Sequence, residues 1–297
     1  MELFLPSDAD RLIAILTAMP RVAVAFSGGV DSAVVAKAAS LAKGNDAVAV
    51  TADSASVPRT ELAGAKRLAE IIGIKHLVVT TEEFDNPDYL KNDGRRCYFC
   101  KSELYSRIER LLPELGYPIV LSGANLDDLG DYRPGLTAAA EKGVRHPLQE
   151  AGLGKAAVRE LAQFWELPVW DKPASPCLSS RIAPGLAVTP ERTRRVEEAE
   201  AYLKSQGLRD CRVRYHEGDL ARLEIPLHEL ATFANEPMRS LLTHRLHEIG
   251  FKFICLDLEG LRSGSMNELI DVSIRKRYQN LELVANHESR ISKYGSP

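Results

Sequence analysis

No apolar run in this 297-residue chain approaches the ~20 residues that a bilayer-crossing helix needs, which excludes such a span on sequence grounds. The opening Met1-Glu2-Leu3 lacks the basic-then-apolar pattern of a secretory leader, so a cytoplasmic protein is expected. Cysteine is scarce and odd in number: five thiols in a chain this long do not read as a disulfide framework. A reducing compartment fits better, with thiols kept for metal binding or chemistry. Excess charge of either sign is missing too. The 38 Lys and Arg residues against 41 Asp and Glu leave a net −3, without the basic footprint of a nucleic-acid-binding chain. Internal repeats and low-complexity tracts are absent, and the length suits two ordinary domains with their own cores.

Strand-like and helix-like segments alternate through the first 170 residues or so. Candidate strands are 22–26, 47–52, 76–80 and 119–123, and helical patterns occupy 31–42, 58–72 and 102–112. Such alternation with short connections predicts an α/β fold, a parallel sheet covered by helices on both faces. Ligands of these sheets sit at the carboxyl ends of strands, where Ser27–Ser32, Asp53 and Gly123-Ala124-Asn125 converge. Residues 168–190 are punctuated by proline and mark a domain boundary. Beyond it a helix from Pro190 to about Gln206 is capped by Thr189 and closed by Gly207. Strands 211–216 and 220–225 form a hairpin, and a helix over 236–249 leads to a strand over 251–258. The expected layout is an α/β domain over 1–170, a smaller α+β domain over 171–274 and a loosely held polar tail over 275–297.

Val22-Ala-Val-Ala-Phe26 stops abruptly at Ser27-Gly28-Gly29-Val30-Asp31-Ser32, and a helix follows. The glycines allow a sharp turn and expose backbone N–H groups, the serines add hydroxyl donors, and a helix N-terminus favours phosphate. Asp31 would repel phosphate unless Mg²⁺ lay between them, which suggests a metal-bound nucleotide triphosphate. The Gly-Lys-Ser/Thr ending of a Walker loop is missing. The hexapeptide resembles instead the SGGxDS loop of the PP-loop ATP pyrophosphatases. Asn125 to Gly135 is a carboxylate-rich loop after a strand end; Asp127 and Asp131 are its candidate Mg²⁺ ligands, with a capped turn as the alternative.

Cys97 and Cys100 form a Cys-x-x-Cys pair between Arg95-Arg96 and Lys101, cations that favour thiolates. No second pair completes a four-ligand zinc site. With Cys177, the pair suggests an iron–sulfur cluster on three cysteines in loops, its fourth iron open. Cys211 and Cys255 fall in apolar strand patterns and read as core. Arg212 and Arg214 alternate along one strand and share a face, as do Arg222 and Glu224 on its hairpin partner. Arginine forks suit a phosphate, and Arg181 and the Gly260–Gly264 loop carrying Arg262 add to this second anion site. A solvated cross-strand ladder with Glu217 and Glu224 is the alternative.

The loop Ser27–Ser32 together with Gly130–Gly135, Pro176-Cys177-Leu178-Ser179-Ser180-Arg181, Arg212-Val213-Arg214 and Gly260–Gly264 resembles the LarE family of PP-loop sulfur transferases. The resemblance covers most of the chain except the tail. It implies ATP and Mg²⁺, and a small nucleotide substrate, pyridinium-3,5-biscarboxylic acid mononucleotide, on the route to a nickel-pincer cofactor. A carboxylate is adenylated with release of pyrophosphate, and sulfur then displaces AMP. In this comparison Cys177, Asp31, Arg181 and Glu224 are catalytic. Ser27, Gly28, Gly29, Asp31, Ser32, Asp53 and Gly123 line the ATP site, and Ser180, Arg181, Arg212, Arg214 and Arg262 bind the substrate phosphate. Members with a lone cysteine give up its sulfur. This chain is similar instead to members with a 4Fe–4S cluster, here on Cys97, Cys100 and Cys177. A homo-oligomer is expected, a membrane partner is not, and a tRNA thiolase or a non-catalytic nucleotide-binding module are the competing readings.

Overall fold

The computed structural model describes residues 5–129, 134–173, 175–262 and 264–276. The chain divides into two units: residues 1–83, 97–175 and 275–297 form the first, residues 84–96 and 176–274 the second. The sequence reading kept 84–96 on the N-terminal side. The structure joins this segment to the second unit, where the Asn92 amide donates to the carbonyls of Ile182, Ala183 and Leu186 at 2.9–3.1 Å. Tyr89 and Ser179 share a hydrogen bond of 2.7 Å there as well. The tail beyond Lys276 and the segment 130–133 lie outside the described residues.

The first unit holds β1 (Val22–Ala25), β2 (Ala47–Asp53), β3 (Lys75–Thr80) and β4 (Ile119–Leu121), all parallel, in the order β3-β2-β1-β4. Counting helices of ten residues or more, its helices are α1 (Leu5–Thr17), α2 (Val30–Lys43), α3 (Arg59–Ile72), α4 (Arg96–Leu115) and α5 (Lys155–Phe164). Val22, Val24, Ala47 and Ala49 pack on one face with Ala33, Val34, Val35 and Ala36 of α2. Ala23, Val48 and Val50 pack on the other with Leu104, Tyr105 and Ile108 of α4. Burial on both faces is why the strands read as unbroken apolar runs; each such valine contributes about 1.5–3 kcal/mol. Because β4 lies on the opposite side of β1 from β2, the strand order reverses between β1 and β4. A crevice for ligands opens outside the carboxyl ends at such a point.

The second unit is α+β. Its sheet runs β5 (Arg212–His216), β6 (Leu220–Glu224), β7 (Phe253–Leu256), antiparallel then parallel. Its long helices are α6 (Pro190–Ser205) and α7 (Met238–Ile249). Thr189 Oγ1 accepts the Arg192 N–H at 3.2 Å, and Pro190 follows at the first helical position, where no amide is missed. Val196, Ala199 and Leu203 of α6 are fully buried, as are Val213 and Leu223 of the sheet. Asp219 (φ +58°) and Gly218 (φ +77°) turn the hairpin. One sequence expectation fails here. Cys255, read as core, is exposed, because β7 is an edge strand and Phe253 and Cys255 share its open face.

Candidate functional site

At the end of β1 the backbone turns at Gly28 (φ +74°), where a Cβ would stand 3.0 Å from that of Ala65 on α3. The two serines then close the loop on itself. Ser32 Oγ accepts the Ser27 N–H (3.3 Å) and donates to the Gly29 carbonyl (3.0 Å), while Ser27 Oγ meets Ser32 Oγ at 3.1 Å. The Gly29 N–H donates to Ser27 Oγ at 3.3 Å. Gly29 is the cap of α2, and no side chain caps that end. The positive end of the helix dipole and its first amides therefore face the loop's concavity, an arrangement that receives phosphate.

Across the crevice, Gly123 lies two residues past the end of β4, and a Cβ there would fall 2.7 Å from the Ser32 nitrogen. Only glycine lets β4 approach the first turn of α2 so closely. Two residues on, Asn125 Nδ2 donates to Asp31 Oδ1 at 2.8 Å. Asn125 is 1% exposed and held on all sides. Its N–H goes to Asp128 Oδ2 (3.1 Å), its Oδ1 accepts the Asp127 N–H (2.9 Å), and its carbonyl accepts from Gln149 Nε2 (3.1 Å). The Asp31 carboxylate is thus oriented from a rigid turn. The expected convergence of the β1 and β4 ends is met by this pair.

The other carboxylates are engaged elsewhere. Asp53, at the end of β2, pairs with Arg59 at 2.6 Å. Asp127 accepts the Lys155 N–H at the start of α5, the capped-turn alternative for that loop, and Asp131 lies outside the described residues. A residue the sequence reading missed also reaches the loop: Lys172 Nζ lies 3.3 Å from the Gly28 carbonyl and 2.7 Å from Glu61 Oε2. It stands 144 positions from Gly28, and no motif ties the two together.

The thiols separate into kinds. None of the five cysteines is in a disulfide. Cys97 and Cys100 sit in the first turn of α4, one helical turn apart and hence on one face, where the sequence reading expected a loop. Ahead of the helix, Asp93 Oδ1 accepts the Arg95 N–H at 3.1 Å. Cys97 is exposed and Cys100 partly so. Cys177, in the second unit, precedes the 3-10 turn Leu178–Arg181. Its carbonyl accepts from Ser180 N–H (3.0 Å), Ser180 Oγ (2.7 Å) and Arg181 Nη1 (3.1 Å). Its backbone is fixed and its thiol partly exposed. Cys211 is fully buried, and burial pushes its thiol up to about 12, so it is a core residue. Within each unit, among the described residues, no three His, Cys, Asp or Glu side chains stand together to hold a metal ion.

The second unit also gathers the arginines. Arg181 is 1% exposed; Nε and Nη2 fork onto Glu200 at 2.9 and 3.3 Å, and Nη1 reaches Ser180 Oγ at 3.0 Å and the Pro176 carbonyl. Its donors are spent on fixing the Cys177 turn. Arg214 faces Arg222 across β5 and β6. Glu224, fully buried, offsets both: Oε2 accepts from Arg214 at 2.7 Å, and Oε1 lies 3.3 Å from Arg222. Ser265 Oγ donates to Glu224 at 2.6 Å and lies 3.1 Å from Arg214 Nη2. Asp257 takes Arg222 and, at 3.0 Å, Arg262. Arg262 also pairs with Glu259 at 2.8 Å, so the three guanidiniums face three carboxylates; Arg214 Nε is buried without a hydrogen-bond partner. Burial pulls the Arg214 pKa down, against the pull of Glu224. An anion reaching Arg214 Nε would satisfy that donor. Arg212, on the same face as Arg214, bonds Asp210 at 2.6 Å and the Cys211 carbonyl at 2.7 Å. Glu200, Asp257 and Ser265 were missed in the sequence, since each meets an arginine far along the chain: Arg181 is 19 positions from Glu200, Arg222 35 from Asp257 and Arg214 51 from Ser265.

Among the described residues no helix is long and apolar enough to cross a membrane. Residues 14–92 match the asparagine synthase family model. The chain is similar, at 44% identity, to an uncharacterized protein of Synechocystis sp., over 90% of this chain and 99% of that one. It is 40% identical to the pyridinium-3,5-bisthiocarboxylic acid mononucleotide synthase of Lactiplantibacillus plantarum, over 90% of this chain and 96% of that one. A more distant relative, an uncharacterized protein of Methanocaldococcus jannaschii, is 27% identical over 82% of this chain and 91% of its own length.

Proposed function

Because the chain belongs to the LarE family of ATP-dependent PP-loop sulfur transferases, we propose that its substrate is pyridinium-3,5-biscarboxylic acid mononucleotide, one carboxylate of which becomes a thiocarboxylate. The observation that carries the reading is the uncapped start of α2 beside an Asp31 carboxylate oriented by Asn125. That start is a phosphate cradle, and a hard carboxylate oxygen next to it suits Mg²⁺, which when bound neutralises phosphate charge. The substrate carboxylate attacks the α-phosphorus and pyrophosphate leaves. A sulfur nucleophile then adds to the acyl carbon and AMP departs. A carboxylate needs this activation because its own oxygen is a poor leaving group. The clustering of Arg214, Arg222 and Arg262, with Arg212 beside them and a buried, unsatisfied Nε on Arg214, supports binding of the substrate's phosphate, and Glu224 sets the forks of Arg214 and Arg222.

For the sulfur source we propose an iron–sulfur cluster on Cys97, Cys100 and Cys177: each is at least partly exposed, none is in a disulfide, and Arg95, Arg96 and Lys101 flank the first two in sequence. Cys97, Cys100 and Cys177 would hold three irons of a 4Fe–4S cluster, whose open fourth iron would supply the sulfide. A second reading, Cys177 as a sacrificial donor, is favoured by one observation: three hydrogen bonds to its carbonyl position that residue without any metal. Anaerobic purification with iron and acid-labile sulfide assay tests both. About four of each per chain, lost in Cys97→Ala, is the expected result. A chain without iron that forms thiocarboxylate once and loses the Cys177 sulfur overturns the cluster reading.

A further inference from the structure

Lys172 has no part in the reading so far, yet it is held as a functional side chain is held. Its segment follows α5 and is tied back to that helix: Arg159 Nη1 donates to the Trp170 carbonyl at 2.6 Å and Nη2 to the Lys172 carbonyl at 3.3 Å. The Lys172 N–H closes a turn onto the Val169 carbonyl at 3.0 Å. With the backbone fixed, the side chain reaches the phosphate loop and rests between the Gly28 carbonyl and Glu61. It is 26% exposed and Glu61 is 20% exposed, so the pair is largely sheltered.

Both loop contacts come from one stripe of α3. Glu61 and Ala65 are one turn apart; Ala65 sets the closeness of Gly28, and Glu61 tethers the cation over it. A cradle built from amides and hydroxyls stabilises bound phosphate but brings no full positive charge of its own. When the bond between the α-phosphorus and the bridging oxygen breaks, negative charge grows on the departing pyrophosphate. A cation oriented beforehand in a sheltered site stabilises that charge without reorganisation. The contacts Lys172 makes here, a carbonyl and a carboxylate oxygen, are of the same kind a phosphoryl oxygen would offer.

We infer that Lys172 is a pyrophosphate-contacting catalytic residue of the adenylation step and that Glu61 is its positioning residue; this rests on the ATP-site reading above. The carboxylate oxygen of the substrate bonds to the α-phosphorus, and pyrophosphate leaves with the electron pair of the broken bond. Lys172 stays protonated throughout, donating a hydrogen bond that shifts from the Gly28 carbonyl to a pyrophosphate oxygen.

The test uses the full chain with two readouts. In pyrophosphate release from ATP and the pyridinium mononucleotide, Lys172→Met is expected to lower kcat by about 10²–10³ with KM for the mononucleotide unchanged. Lys172→Arg, which keeps the charge, should recover roughly tenfold of the loss, and Glu61→Gln should cost less than about tenfold. In calorimetric titration with inorganic pyrophosphate and Mg²⁺, Lys172→Met should bind about tenfold more weakly. A Lys172→Met chain with wild-type kcat and wild-type pyrophosphate affinity overturns the inference. Should that variant fail to fold, Lys172→Gln, which can still donate to Glu61, is measured in its place under the same criteria. A wild-type chain that binds pyrophosphate but releases none from ATP defeats the substrate reading, and the affinity comparison still decides the role of Lys172.

Discussion

The loop after β1 and the arginine cluster on β5 and β6 both offer an anion positive potential, but they are built from opposite materials. The first is mostly backbone: two glycines, a helix start and two serines that bond each other. Its one close carboxylate, Asp31, is turned by a neutral amide. The second is side chain throughout, guanidiniums set against the buried carboxylates Glu224 and Asp257. A backbone cradle costs little to keep empty, because amides and dipoles carry partial charge. A buried guanidinium must be matched or its desolvation destabilises the fold. The first unit therefore keeps its site at the price of steric tolerance, and the second through charge balance.

That difference predicts how each site breaks. The largest effect is expected for Glu224→Ala, which strands Arg214 and leaves Arg222 to Asp257, and it should cost about 3–5 kcal/mol. Urea unfolding of the full chain measures it; a loss below about 1 kcal/mol would mean the arginines do not depend on that carboxylate. Next comes Gly123→Ala, whose methyl has no room against Ser32 and Asp31. It should cost about 1–3 kcal/mol by overpacking and displace the loop, so ATP affinity falls together with stability. Unchanged ATP binding would show that α2 can recede without harm.

The smallest effect is acid sensitivity. Burial lowers the pKa of His146, whose Nδ1 lies 2.7 Å from Ser122 Oγ, from its ordinary 6.5. The unfolded chain then binds the proton more readily, so this contribution is complete above 6.5 and is lost as pH falls through the lower folded value. In the second unit Asp219 is held down to about 2 from 3.8 by the hydrogen bonds of Lys252 and then Tyr215. Its contribution is present above 3.8 and is lost as pH falls toward 2. Trp165 and Trp170 are the chain's two tryptophans and both belong to the first unit. Their fluorescence in urea should show stability slipping on mild acidification, and His146→Gln should flatten that slope. An unaltered slope in the variant removes His146 from the account.

Legibility followed the same divide. The β1 loop could be read because its parts are contiguous, six residues at the end of an apolar run. The helix from Pro190 was equally readable, since Thr189 and Gly207 flank it in sequence. Shared strand faces followed from period-two alternation, so Arg212 with Arg214 needed no coordinates. Beyond Glu224, the partners of Arg181, Arg214 and Arg222 did need them: Glu200 and Ser265 carry no local signature, and Asp257 follows a strand without marking it. Cys255 misled because an apolar neighbourhood says nothing about whether a strand lies at a sheet's edge. Cys97 and Cys100 read as loop residues because the helical pattern in the sequence begins only at Ser102, whereas α4 opens at Arg96.

By itself, then, the sequence determined what local geometry enforces: the strand–helix alternation, the sharp glycine turn, the helix start that receives phosphate and the family of the chain. Each of these depends on neighbours a few bonds away, where sterics and periodicity act directly. Only the tertiary structure decided that Lys172 rests on the phosphate loop, that Asn125 turns Asp31, that Asp127 caps a helix and that Arg181 is spent on Glu200. Those outcomes depend on which distant groups burial forces together, because a polar atom withdrawn from water must find its partner wherever the fold has brought one.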